Sequence, residues 1–291
     1  NSSGTDNTAV GYAAGDAVTT GSSNTFVGDN AGGATTTASR NTAVGASALL
    51  VSSTGAENVA VGYTALDANT TGSANIAIGD SALSANTTAN YNVAVGKGAL
   101  LVNSTGANNV GIGTNALDAN TTASNNTAVG HDALTANTTG TNNVAVGTYA
   151  LDSNTTASRN TAVGKDALTA NTTGAENVAV GSLALDANTT GNQNVAVGDA
   201  ALSTASTASA NTMLGKSAGT AITTGAENVG VGASALAAAT TGGSNVAVGY
   251  LALDANTTAS SNTAVGREAL SANSTGASNT ALGRNAGLSV T

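Results

Sequence analysis

Apolar and polar positions recur along this chain with a fixed period. The motif Asn-x-x-aliphatic-Gly starts at Asn7, Asn24 and Asn41 and runs on in steps of 17 residues to Asn279, without insertion or deletion. Number each unit 1 to 17 from that Asn. Position 1 is then always Asn, position 5 always Gly and position 8 always Ala. Position 4 is always Val, Ile or Leu, and position 9 is Leu in thirteen units and Gly in four. Positions 13 and 14 carry hydroxyl residues, and position 15 is Gly or Ala. A partial unit 1–6, full units 7–278 and a partial unit 279–291 make the chain one repeat array, 1–291.

Such a unit is too short for a helix pair, which needs about 33 residues or more. The β-branched stretch at 1–4, ended by Gly and followed by Thr-Thr-Gly, reads as short strands with turns between them. The expected fold is all-β, a parallel β-solenoid (β-roll) of seventeen 17-residue coils. Equivalent residues stack about 4.8 Å apart, so seventeen levels predict a rod about 80 Å long. The charges are an independent check, because stacked like charges repel and opposite charges attract. Arg40 precedes Glu57 by one coil, Arg159 precedes Glu176, Asp80 precedes Lys97, and Asp199 precedes Lys216. The aspartates at position 10 never fall in neighbouring units. Arg267 over Arg284 is the one like-charge exception, with Glu268 beside it.

Side chains alternate across a strand, so positions 2 and 4 share one face and position 3 takes the other. Position 2 is Val or Ile in nine units and Thr in eight, and position 4 is wholly aliphatic. Position 3 is Ala except at Phe26, Gly111, Met213 and Gly230. Phe26 shares its unit with Gly32, and Met213 shares its unit with Gly219, both glycines standing where Leu is usual. Large at 3 with nothing at 9 is volume compensation within one packed space. Positions 3 and 9 therefore face each other, and 2 and 4 line another surface. A strand with two apolar faces needs cover on both, which predicts a parallel oligomer.

Composition narrows the chemistry. There is no cysteine, so no disulfide framework, thiolate zinc site or cysteine nucleophile is available. One histidine, His131, leaves almost no room for His-based acid–base chemistry or a multi-His metal site. Only 8% of residues are charged and the net charge is −9, which argues against a nucleic-acid partner. No run approaches the ~18 apolar residues of a membrane span, and Asn1 opens no signal-peptide pattern. Yet 41% hydrophobic residues is too many for a disordered chain. No enzyme activity, cofactor or metal is expected.

The Asn-Val-Ala-Val-Gly units and Asn75-Ile-Ala-Ile-Gly79 resemble the head repeats of YadA-like trimeric autotransporter adhesins. The longer unit, Asn-Thr-Ala-Val-Gly-x-x-Ala-Leu-x-x-Asn-Thr-Thr-Gly, is similar to arrays in phage tail fibres and large bacterial surface proteins. This resemblance implies a left-handed, trimeric parallel β-roll on a cell or virion surface. Repeats of the adhesin family are shorter, so the longer unit here implies a wider coil or a bulged turn. The anchor barrel, coiled-coil stalk and C-terminal chaperone of such proteins have no counterpart in these 291 residues.

Candidate sites are few. Tyr12, Tyr63, Tyr149 and Tyr250 fall at position 6 or 7 and are candidate surface-recognition residues, though single scattered tyrosines are also ordinary surface residues. Tyr91 falls elsewhere, and His131 and Asp132 read as exposed substitutions. Asn58, Gly62 and Leu66, with Asn177, Gly181 and Leu185, represent a structural ladder. In it Asn amides pair with those of the coils above and below, Gly supplies a φ or close approach that a Cβ blocks, and Leu fills the core. Asn at position 12, as in Asn69 and Asn188, matches the N-glycosylation pattern, but glycans one coil apart would crowd, so a turn ladder is expected. Aspartate at position 10 suggests calcium, but the aspartates are isolated from one another. The hydroxyls at 13 and 14 suggest ice binding, but in an extended stretch they would point opposite ways, leaving one rank outward. The expected function is a non-catalytic extracellular structural fibre or adhesin segment that projects from or links cell or virion surfaces. Its settings are a bacterial adhesin, a phage tail-fibre shaft or a self-assembled filament. The alternative is an ice- or glycan-binding β-solenoid module. Partners are copies of itself, as a parallel homotrimer, and a host-surface protein or glycan. Because Asn1 begins and Thr291 ends inside a unit, head-to-tail stacking into a filament, or a slice of a longer array, is a further expectation.

Overall fold

The structure, a computed structural model, describes residues 2–288, so Asn1 and Thr291, which carry the head-to-tail expectation, lie outside the described residues. The chain forms two compact units, Asn1–Asn143 and Val144–Thr291. In each, every coil has one three-residue strand at positions 2–4. These run from Thr8–Val10 to Thr127–Val129 in the first unit and from Val144–Val146 to Thr280–Leu282 in the second. Each strand pairs in parallel with its equivalent one repeat away, as in Val59↔Ile76 and Ala60↔Ala77 of the first unit or Val178↔Val195 and Ala179↔Ala196 of the second. Among the described residues there is no helix. Both units are parallel β-solenoids.

The interior of a coil is small. Position 3, the Ala-Leu pair at 8 and 9, and the Asn residues at 1 and 12 are sealed from solvent in nearly every coil. Positions 2 and 4 point out and stay half-buried or exposed. The compensation between 3 and 9 is visible directly. A Cβ on Gly32 would lie 2.5 Å from Phe26 Cδ1, and one on Gly219 would lie 2.9 Å from Met213 Sδ. Both large side chains also reach a neighbouring coil. Phe26 closes on Gly15 in the coil before it, and Met213 closes on Gly230 in the coil after it.

Position 12 belongs to this core too, which the alternation argument missed. Where position 9 is Gly15 or Gly219, position 12 is not Asn but Val18 or Ile222, both buried. Apolar volume lost at 9 is returned partly at 12 and partly at 3.

Three positions per coil, 7, 9 and 17, turn through the left-handed region, and in most coils none of them is glycine. In one coil of the second unit they are Leu183 (φ 57°), Leu185 (φ 52°) and Gln193 (φ 58°). This backbone costs an L-residue roughly 1–2 kcal/mol. At position 9 the cost is offset, because fully burying a Leu contributes about 1.5–3 kcal/mol. The corner at 9 is what swings Leu185 inward.

Candidate functional surface

The conserved chemistry of the repeat is spent inside it. Asn58 Oδ1 accepts the backbone N–H of Asn75 at 3.0 Å, and Asn58 Nδ2 donates across the coil to the Gly72 carbonyl at 2.9 Å. Asn177 does the same toward Asn194 and Gly191, at 3.0 and 2.8 Å. The ladder expected from stacked amides is thus mainly side chain to backbone, with an amide–amide contact added in places, such as Asn75 Nδ2 to Asn58 Oδ1 at 3.2 Å. Gly62 and Gly181 sit at φ 134° and 136°, and Leu66 and Leu185 are fully buried.

Position 12 forms a second ladder. Asn86 Nδ2 donates to Asn69 Oδ1 at 2.8 Å and to the Ala89 carbonyl at 3.1 Å. The ten Asn from Asn69 to Asn273 that match the glycosylation pattern at position 12 are fully buried, so the folded coil offers none of these ten to a transferase. Asn125, at position 17 in Asn125-Asn126-Thr127, also matches and is exposed. Position 16 adds a bond that sequence reasoning missed. The N–H of Ala56 is taken by Ser73 Oγ at 3.1 Å, and that of Ala175 by Asn192 Oδ1 at 2.8 Å, one coil on. The signal was legible: Ala56, Ala107 and Ala175 are each followed by Ser or Asn after 17 residues.

Outside, every charged side chain lies at position 6, 7, 10 or 17. Arg40–Glu57 and Arg159–Glu176 bridge neighbouring coils at 2.5 Å, and Lys216 lies 3.9 Å from Asp199. Asp80 instead accepts the Ser81 hydroxyl at 2.8 Å and forms no ion pair with Lys97 among the described residues. Lys165 pairs with Asp166 in its own coil. The like-charge exception is relieved locally: Arg267 bonds Glu268 at 3.0 Å and lies over the Tyr250 ring at 5.6 Å. His131 Nδ1 is 2.9 Å from Asp132. Tyr12, Tyr63, Tyr149 and Tyr250 are all exposed, and so is Tyr91; they stand in separate coils.

The hydroxyl pair at 13 and 14 departs from expectation. That stretch is a bend rather than a strand, so the two side chains do not take opposite faces. Positions 12 and 15 point inward, and 13 and 14 both stand outside. Position 13 is half-buried, with its hydroxyl donated to the next coil's position-13 carbonyl, as in Thr70 Oγ1 to Thr87 at 2.9 Å. Position 14 is exposed in every coil.

No family model matches the chain, and no curated protein is similar to it in sequence. The surfaces themselves carry the functional reading. Among the described residues no three His, Cys, Asp or Glu side chains gather to hold a metal. The aspartates at position 10 stay apart, yet burial raises the carboxyls of Asp67, Asp118, Asp186 and Asp254 above their ordinary range. Asp186 Oδ1 is sealed from solvent without a partner, and Asp166 in the preceding coil adds repulsion.

A raised carboxylate favours the folded state when protonated, and that stability is lost as pH rises through the folded-state pKa. Asp186→Asn is therefore expected to raise the melting temperature at pH 7. The gain should vanish below the ordinary carboxylate range, where Asp186 is already neutral. Thermal melts followed by circular dichroism at both pH values check this, and an equal gain at both would refute the titration account.

Proposed function

We propose that this chain is a non-catalytic structural segment of an extracellular fibre or adhesin, built as a left-handed, parallel homotrimer. One observation carries the reading: the outward rank at position 4. It is aliphatic in every coil, flanked by Val, Ile or Thr at position 2, and free of charge. Ile76 and Ile78 are 38% and 40% exposed, and Val163, Val197 and Leu214 are 36–37% exposed, although they are central to the sheet face. Isolated exposed aliphatics are ordinary, but a continuous strip on a soluble chain marks an interaction surface. The occupant that fits it is another copy of the same strip, because identical coils of identical height match level for level. The buried Asn, Gly and Leu positions all serve stacking, which suits a scaffold rather than a catalyst. The resemblance to YadA-like head repeats and tail-fibre arrays supports the trimer, its handedness and a place on a cell or virion surface.

Mass measurement by light scattering coupled to gel filtration tests the assembly. The expected value is three times the 27.3 kDa chain mass. Val163→Glu combined with Val197→Glu should shift it to the single-chain mass while circular dichroism stays unchanged. A wild-type chain that is monomeric at high concentration would sink the trimer.

A further inference from the structure

A second outward surface remains, on the stretch 11–16. No residue there is charged in any coil. Position 14 within it is Thr in all sixteen full units, from Thr20 to Thr139 in the first compact unit and from Thr156 to Thr275 in the second. All sixteen are exposed. Other outward positions, namely 6, 7, 10, 16 and 17, change freely from coil to coil. An invariant residue among drifting exposed neighbours calls for a cause.

The fold does not supply it. Among the described residues, Thr37 alone has its position-14 hydroxyl near a protein acceptor, the Ser53 carbonyl at 3.5 Å. Position 13 is the internal control. There the hydroxyl has a structural use, and Ser53 and Ser104 perform it as Thr does, at 3.1 Å to Thr70 and Thr121. Where a hydroxyl alone is needed, Ser and Thr interchange. At position 14 Ser appears once, as Ser3 in the partial first unit, and in none of the sixteen full units, so the methyl matters. Val and Ile never appear either, so the hydroxyl matters, and a mere β-branched backbone preference is insufficient.

The required ligand therefore takes a hydrogen bond and an apolar contact from each coil. It must also be periodic. A protein or glycan of ordinary size touches a few coils and leaves the others free to vary. Identity at every level requires a ligand that repeats with the coil, about 4.8 Å. The oxygen lattice of ice has a repeat close to this, accepts hydroxyls, and has hollows between its oxygens that fit a methyl group. The absence of charge agrees, because a charged side chain orders water around itself in a pattern that lattice cannot adopt. Crystalline polysaccharide is also periodic, but its sugar rings favour aromatic platforms, and positions 11–16 carry no aromatic residue.

We propose that the position-14 threonines form an ice-binding line on each compact unit. The inference is independent of the trimer: the strand face at 2 and 4 is a different surface, and a monomeric chain would leave the line intact.

The test is thermal hysteresis of the purified full chain, with incorporation of the labelled chain into a growing ice hemisphere. Wild type is expected to depress the freezing point below the melting point and to enter the ice. A triple variant, Thr173→Lys, Thr207→Lys and Thr241→Lys, spaces its charges two coils apart to limit mutual repulsion. It should lose at least half of the hysteresis at an unchanged melting temperature. Changing the same three residues to Ser adds neither volume nor charge and should reduce hysteresis severalfold, which keeps the idea testable if the Lys variant misfolds. Thr189→Ser, at position 13, should change nothing. Exclusion of the wild type from ice, with or without binding to insoluble polysaccharide, would overturn the proposal. So would a folded Lys variant as active as wild type.

Discussion

Leu185→Asp is expected to unfold its own coil and those on either side. The side chain is fully sealed, and its backbone N–H is bonded to the Ala201 carbonyl one coil on, at 3.0 Å. Truncating a buried Leu costs about 2–5 kcal/mol. Leaving a carboxylate there adds a desolvation penalty of several kcal/mol, and no Lys or Arg is buried among the described residues to offset it. Whole domains have about 5–15 kcal/mol of stability, so the sum is decisive locally. Repeat units lean only on their neighbours, and the damage should spread along the stack before it fades. Urea melts should show a lost or split transition. The natural Phe26–Gly32 and Met213–Gly219 pairs suggest a control. Leu185→Gly alone should be strongly destabilising, and adding Ala179→Met should recover part of the loss. A wild-type melt for Leu185→Asp would mean that position 9 is not core.

What the sequence disclosed and what it hid divide along one physical line. Alternation holds where the chain is extended, and only positions 2–4 are. There the reading was sound: 3 inside, 2 and 4 outside, in register at 17 residues. Elsewhere the chain turns through left-handed corners, and no propensity assigns a positive φ to Leu185 or Gln193. The turn ladder expected at position 12 is present, with Asn188 Nδ2 bonded to the Gly191 carbonyl three residues on at 3.1 Å and to Asn171 Oδ1 one coil back at 2.8 Å. Alternation, however, gives no sign that Asn188 is buried. Thr189 and Thr190 were read as opposed for the same reason. The charge pairs were legible because they depend on register alone, yet Asp80 took Ser81 as its partner. Exposed pairs are worth only about 0–1 kcal/mol, too little to fix a choice between such partners. On the candidate surfaces, the aliphatic rank at 4 was legible from its apolar residues. The threonine line needed the structure, because its meaning lies in hydroxyls the fold leaves unused.

The invariant glycine gives the other large effect. At Gly181 a Cβ would lie 2.4 Å from the Gly198 carbonyl oxygen and 2.6 Å from its carbon, both backbone atoms. Contact alone does not forbid a side chain in this fold. At position 15 a Cβ on Gly55 would come even closer, 2.2 Å from the Gly72 oxygen, yet six coils carry Ala there, among them Ala89 and Ala208. Small shifts of the turn relieve that crowding, because φ at position 15 lies outside the left-handed region. At position 5 the two conditions coincide. Gly181 has φ 136°, a conformation that costs a side-chain-bearing residue about 1–3 kcal/mol, and the contact falls on backbone held in the strand ladder. Gly181 N–H bonds the Val163 carbonyl and Gly198 N–H bonds that of Val180, each at 2.8 Å. Moving the coils apart to seat a methyl would stretch both bonds, each worth about 1 kcal/mol. Gly181→Ala should therefore cost several kcal/mol, about 3–5 in all from these strain and hydrogen-bond terms. Gly55→Ala, at the tolerant position, adds the same kind of contact without the left-handed φ and should change stability by no more than about 1 kcal/mol. Denaturant midpoints of the two variants decide between close approach and backbone strain as the reason for glycine. Equal losses would mean that contact alone governs both positions, and the larger loss at Gly181 would place the cause in its φ.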